Sequence, residues 1–296
     1  MKKEIFEGIA TALITPITEK GIDYDAFGKL IDWQIEEGIN ALVVCGTTGE
    51  ASTLTDDEHR DAIAYAVKRA AGRVPIIAGT GSNDTAYACQ LTKYACEVGV
   101  DGVLLVTPYY NKATQKGLIA HYKAVAESVD LPIIMYNVPG RTGCNIAPAT
   151  AATLVKEVKN IVGIKEASGN ISQIAELAAL VGDKIDIYSG NDDQIVPIMA
   201  LGGKGVISVL SNPLPKKTSE MTALLLKGDY EAGRKIQLEL LPLIHSLFSE
   251  VNPIPVKAAC AAMGLCENYV RLPLTPMEED HRQNLLRLMR KAGLDV

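Results

Sequence analysis

The 296-residue chain predicts an α/β fold, a (β/α)8 TIM barrel with a C-terminal helical region. Three observations point there. Eight short apolar runs recur along the first three quarters of the chain, a stretch of helical periodicity follows each run, and the runs stop near residue 225. Strands that alternate with helices pair in parallel, because parallel neighbours need a helical crossover. Eight such units close a barrel of ~250 residues. A doubly wound open sheet alternates in the same way, but it carries a glycine-rich dinucleotide turn after its first strand, and none follows Ile17. The barrel is assigned to residues 1–225 and the helical region to residues 226–296.

The strands are read at residues 8–17, 41–46, 75–80, 102–108, 132–138, 161–167, 186–190 and 205–209. Helix starts lie between them. Asp23-Tyr24-Asp25-Ala26 opens the first helix, and Thr55 followed three residues later by Glu58 is a capping box that opens the next. Asn83-Asp84-Thr85, Thr114-Gln115, Ala147-Pro148 and Asn170-Ile171-Ser172 open others. Beyond the barrel, residues 229–251, 255–263 and 276–291 read as helices packed on it.

Composition narrows the function. A 48% hydrophobic content supports a sizeable core, and a net charge of −6 with no basic block argues against nucleic acid as the main partner. The first seven residues hold no apolar stretch long enough for a signal peptide, and no segment approaches the ~18 apolar residues of a membrane span. The expected location is the cytoplasm. The six cysteines include no CxxC pair and read as small core residues; the four histidines show no HxH or HExxH spacing, so nothing suggests a metal.

Barrel active sites form at the C-terminal strand ends, and the polar residues of this chain collect there. Lys165 ends the apolar run Ile161-Val162-Gly163-Ile164. A charged amine there is costly unless it is paired or used; either its ammonium reaches solvent or pairs with Glu166, or burial keeps it neutral and nucleophilic, able to form an imine with a carbonyl compound. With the ordinary lysine pKa of about 10.4, under ~1% is neutral near pH 8, and a fall of ~3 units, about 4 kcal/mol, removes that limit. Gly46-Thr47-Thr48-Gly49 is a tight turn, or a turn whose N–H groups suit a carboxylate. Tyr136 is a core tyrosine or, linked to a threonine hydroxyl, a proton relay. Tyr110 is a surface aromatic or part of the same relay. Arg141 is a surface ion-pair residue or a bidentate carboxylate clamp. Asp192-Asp193 reads as a helix start. One lysine, two tyrosines, two threonines and one arginine converge on one barrel face.

Eight motifs in order carry a resemblance that covers essentially the whole chain: GTTGE at 46–50, AGTGSN at 78–83, TPYYNK at 107–112, YNVPGRTG at 136–143, GIKEASG at 163–169, YSGNDD at 188–193, GVISV at 205–209 and NPIPVK at 252–257. The chain resembles the dihydrodipicolinate synthase family of pyruvate-dependent Schiff-base aldolases. The resemblance implies that Lys165 forms the imine with pyruvate and that Tyr136, Thr47 and Tyr110 relay protons, Tyr110 reaching into a neighbouring subunit's site. It implies that Thr48 binds the pyruvate carboxylate with help from Gly190 and Ile207, and that Arg141 holds the carboxylate of aspartate semialdehyde. The implied reaction gives 4-hydroxy-tetrahydrodipicolinate on the way to diaminopimelate and lysine, with no metal or organic cofactor. The implied assembly is a homotetramer of tight dimers. N-acetylneuraminate lyase and the keto-deoxy-sugar aldolases share the lysine and tyrosine; Arg141 after Val138-Pro139-Gly140, and Thr47 where the lyases tend to carry serine, favour the carboxylate-bearing aldehyde. In lysine-inhibited members the inhibitor site matches Ala51, His59, Asn83, Tyr87 and Tyr109. Tyr87 stands where those members carry a glutamate, so weak or absent lysine inhibition is expected.

Overall fold

A computed structural model describes residues 4–296. The first predicted strand divides. Only β1 (Gly8–Ala12) enters the barrel, while β2 (Ile17–Thr18) and β3 (Gly21–Ile22) form a separate antiparallel ribbon. The division falls where the chain leaves the barrel rim. Leu13 N–H still donates to Val43 O, but Ile14 N–H donates to the side chain of Asn212, and Pro16 has no N–H to offer.

Helices and strands then alternate: α1 (Tyr24–Glu36), β4 (Ala41–Val44), α2 (Asp56–Ala70), β5 (Ile76–Gly79), α3 (Thr85–Glu97), β6 (Gly102–Val106), α4 (Gln115–Glu127), β7 (Ile133–Asn137), the single turn α5 (Pro139–Thr142), α6 (Pro148–Glu157), β8 (Ile161–Glu166), α7 (Ile171–Val181), β9 (Asp186–Ser189), α8 (Ile195–Ala200), β10 (Gly205–Ser208) and α9 (Pro215–Leu226). Every barrel strand ends one or more residues before its predicted C-terminal end, and the N–H groups of Thr80, Ala167 and Gly190 make a last bond to the neighbouring strand. The strands pair in parallel, in the order β1-β10-β9-β8-β7-β6-β5-β4, and the ring closes. The predicted starts hold: Asp23, Asp84, Thr114 and Asn170 each accept a backbone N–H of the first helical turn, and Thr55 and Glu58 form the reciprocal box. Pro148 sits in the first turn of α6, where a missing N–H costs nothing.

Strand alternation splits the core into two layers. Leu42 and Val44 point outward under the helices, whereas Ala41 and Val43 point into the lumen with Ala10, Ile77, Leu104, Ile134 and Ile207. Phe6 stacks on Tyr188 at 4.3 Å and the Tyr188 hydroxyl donates to Phe6 O, which closes the N-terminal end of the lumen. The open end is therefore the one that carries the predicted site.

Three further helices follow: α10 (Tyr230–Ser246), α11 (Ile254–Ala262) and α12 (Glu279–Lys291). Helix α10 packs on α8 and α9, and α12 packs on α10 and α11. Helix α11 is tied to the barrel mouth by charge. Lys257 is wholly buried and pairs with the buried carboxylate of Glu50, which also accepts Arg271 N–H at 3.2 Å; the Arg271 guanidinium clamps Glu58. A buried pair adds little net stability, but breaking it strands a charge in the interior at a cost of ~3–5 kcal/mol. Lys257→Met is expected to lose stability on that scale in urea unfolding, and Glu50→Gln/Lys257→Met to recover most of it. A single variant as stable as the parent would rule the pair out as the tie.

Candidate active site

The site grows from β8. In the barrel register Lys165 stands between Tyr136 of β7 and Tyr188 of β9. Its Nζ lies over the Tyr136 ring, 4.4 Å from the centroid. Burial pulls its pKa from the ordinary 10.5 down to about 8, Asp192 opposes the fall, and Arg141 adds to it. The pairing of Lys165 with Glu166 does not occur. Successive strand residues face opposite sides, so Glu166 points outward under α7. There it accepts Ser168 N–H at 2.8 Å and the Asn137 amide at 3.1 and 3.2 Å. The lysine is left as the amine of the lumen mouth.

Its surroundings come from the ends of β1, β4, β6, β7 and β9. Ala12, Val43, Leu104 and Val138 supply apolar wall, while Thr47, Thr48, Tyr136, Arg141 and Gly190 supply polar groups around a cavity of about 60 Å³. That volume suits a molecule of a handful of heavy atoms. A side chain at residue 190 has no room: a Cβ there stands 2.6 Å from Ala167 Cβ and 3.1 Å from Lys165 Cε. The glycine lets β9 approach the reactive amine.

Thr47 and Thr48 sit on a turn that is bent at both ends by left-handed backbone, at Cys45 (φ 53°) and Glu50 (φ 56°). Gly49 and Glu50 N–H groups close it by donating to Gly46 O and Thr47 O, both at 3.1 Å. Gly49 packs against Leu13 O and Thr15 Oγ1, each 3.1 Å from where a Cβ would stand. Thr48 points in and is buried; Thr47 is exposed at the rim, near enough to Tyr136 to favour its ionised form. Burial raises the Tyr136 pKa, and Arg141 and Thr47 pull it back. Arg141 projects from α5 at the edge of the cavity, exposed, with Nη2 donating to Asn252 O at 3.1 Å.

The structure brings Lys165, Tyr136, Thr47, Thr48, Arg141 and Gly190 together. Ile207 lies in the apolar lumen and does not line the cavity. Tyr110 stands apart: it is 89% exposed, its φ is 72°, and its own chain offers it no place in the cavity.

Two residues near the lysine escaped the sequence reading. Asp192 was read as a helix start and does begin a short 3-10 turn, but it is also a buried carboxylate that accepts Ser208 Oγ at 2.5 Å and the N–H groups of Val209 and Leu210. Burial raises its pKa. Asn252 belonged to a recognised motif without a role, and it lines the cavity. Among the described residues, no group of three or more metal-ligating side chains is gathered to hold an ion.

A buried amine with a pKa near 8 attacks carbonyls in its neutral form. Trapping of a pyruvate imine by borohydride, at limiting pyruvate, should therefore rise with pH and level off above about 8, falling about tenfold for each unit below. A rate still climbing at pH ~10 would mean that the amine has its ordinary pKa.

Known proteins resemble this chain along nearly its whole length. A family model described as the dihydrodipicolinate synthetase family matches residues 5–292. The chain is 55% identical over 294 residues to a 4-hydroxy-tetrahydrodipicolinate synthase of Acetivibrio thermocellus, covering 99% of this chain and 100% of that one. It is 56% identical over 291 residues to the synthase of the same name from Lachnoclostridium phytofermentans, covering 98% and 99%. The crystal structure of dihydrodipicolinate synthase from Aquifex aeolicus superposes with a TM-score of 0.96 at 48% identity, over 98% of this chain and 99% of that one. A structure described as a monomeric dihydrodipicolinate synthase variant gives 0.97 at 43% identity, over 98% of both. With the match spanning nearly the whole chain, this protein belongs to the dihydrodipicolinate synthetase family.

Proposed function

We propose that this protein condenses pyruvate with L-aspartate 4-semialdehyde to give 4-hydroxy-tetrahydrodipicolinate, the first committed step towards diaminopimelate and lysine. The observation that carries the reading is the buried Lys165 amine, held over Tyr136 in a cavity of handful-of-atoms size with Arg141 at its edge. In this scheme the neutral Lys165 amine attacks the ketone carbon of pyruvate. Tyr136 gives a proton to the carbinolamine oxygen, which leaves as water. Loss of a methyl proton turns the imine into an enamine. The enamine carbon attacks the aldehyde of the second substrate, and the new alkoxide takes up a proton. The amine of that substrate then adds to the imine carbon and expels Lys165, which closes the ring.

Each polar group has one task here. Thr47 links the Tyr136 hydroxyl to the rim, Thr48 donates to the pyruvate carboxylate beside Gly190, and Arg141 takes the carboxylate of the semialdehyde. The chemistry is that of an amine and hydroxyls, so the scheme calls for no metal or organic cofactor. Tyr110 completes the relay from a neighbouring copy, in a homotetramer built from tight dimers; its exposure on its own chain supports that placement. Among the described residues no helix is long and apolar enough to cross a membrane, and cytoplasmic placement is part of the proposal.

The test is turnover of pyruvate by the purified protein with aspartate semialdehyde in one assay and N-acetylmannosamine in another. Turnover with the semialdehyde alone, lost by at least about tenfold in Arg141→Met, is the expected result. Turnover with the sugar alone would make the protein a sialic acid lyase.

Feedback follows from Tyr87. Its hydroxyl donates to Asp56 at 2.7 Å, and Asp56 is already paired with Arg60. Among the described residues no free carboxylate stands beside Tyr87 for a lysine ammonium, and the missing charge-assisted bond is worth ~1.5–3 kcal/mol, or roughly ten- to a hundredfold in affinity. Lysine titrations of the activity should show no half-inhibition below the millimolar range.

A further inference from the structure

Asn252, together with Phe248, brings the C-terminal region to the site. Asn252 precedes α11, is 5% exposed, and lines the cavity that holds Lys165. Its side-chain Nδ2 donates to Thr48 Oγ1 at 3.0 Å, and its backbone oxygen accepts Arg141 Nη2 at 3.1 Å. Its Oδ1 is buried without any hydrogen-bond partner. Buried polar atoms are nearly always satisfied, so an orphan in a cavity wall marks a side chain kept for more than the fold. The position of Asn252 is held independently. Five residues on, Lys257 pairs with Glu50, the last residue of the GTTGE turn that carries Thr48. The segment from Asn252 to Lys257 therefore grips that turn at two points.

The direction of the first bond matters. A Thr48 oxygen that accepts from an amide N–H keeps its own hydrogen free, and a hydroxyl is a donor to a carboxylate only when its hydrogen is not already engaged. The second bond sets where the Arg141 guanidinium stands. We propose that Asn252 is a positioning residue for both substrates: its amide keeps the Thr48 hydroxyl donating into the cavity, and its backbone oxygen holds Arg141 at the edge. The proposal rests on the reading of Lys165, Thr48 and Arg141 given above. It goes further in making the two carboxylate-binding groups dependent on one residue outside the barrel.

The two bonds come apart by mutation, because Asn252→Ala removes the amide and keeps the backbone oxygen. The expected result is a KM for pyruvate raised roughly tenfold, with the KM for aspartate semialdehyde within about twofold of the parent. Asn252→Asp fills the same volume, accepts the Thr48 hydrogen, and sets a negative charge beside a carboxylate site. It should raise the pyruvate KM further, to roughly a hundredfold, and it carries the test if the alanine variant fails to fold. A merely structural Asn252 gives a different pattern: both KM values unchanged, or both shifted in equal proportion with the unfolding temperature. Either pattern overturns the proposal. Borohydride trapping of pyruvate on the unmodified protein is the control. If no adduct forms there, the imine reading falls and this proposal with it. If the adduct forms and the Asn252 variants saturate at the same pyruvate concentration, only the proposal falls.

Discussion

Keeping the Lys165 amine out of water is the constraint on which the rest of the site depends. Its pKa falls from 10.5 to about 8, a penalty on the ammonium of about 3 kcal/mol. The sign follows from linkage: the unfolded chain holds that proton up to its ordinary pKa and the folded chain gives it up near 8, so folding gains from rising pH between those values and carries the penalty below them. The barrel meets this cost with geometry. The Tyr136 ring lies under the amine, and Asp192 stands near enough to limit the fall but is itself held by Ser208, Val209 and Leu210. A carboxylate so occupied tempers the amine without capturing it as a salt bridge.

The same economy explains why β8 and its neighbours carry polar residues on both faces. Lys165 faces the lumen and Glu166 faces α7, one residue apart. On the outer side Asn137 joins Glu166, donates to Asn145, and accepts the Ile146 N–H at 2.9 Å. That network ties the strand bearing Lys165 to the strand that leads into α5 and Arg141. A shift of β8 against β7 would leave several buried polar groups unpaired at once, so the network holds the reactive amine and the arginine to a common frame.

Lys165 was legible in the sequence because a charge inside an apolar run has no cheap explanation. Gly-Thr-Thr-Gly was legible as a turn, and only its company with Lys165, Tyr136 and Arg141 at one barrel face marked it as part of a site. The eight strands could be read because each is a continuous apolar run bounded by turn residues, but their C-terminal ends could not, since apolar character continues into the loops that line the cavity. The β2–β3 ribbon was missed for the same reason: Ile17 looks like more of β1 until Pro16 interrupts the ladder. Tyr110 was legible as a motif but not as a location, and in a single chain it faces solvent. Asp192 was half-read, as a turn start that is also a buried charge.

Asn252 shows the limit of local reading most clearly. It lies 204 positions from Thr48 and 111 from Arg141 along the chain, and nothing in the text between them implies contact. What makes the contact is the docking of the α11 segment at the barrel mouth, fixed by Lys257 against Glu50 and by Arg271 against Glu58. The left-handed backbone at Glu50 has a purpose in that light. It turns the carboxylate inward, away from the cavity and towards α11, so that the bend presenting Thr47 and Thr48 to the site also presents Glu50 to the helix that steadies them. A helical region that a barrel does not need for closure is thereby placed where it governs the geometry of the site.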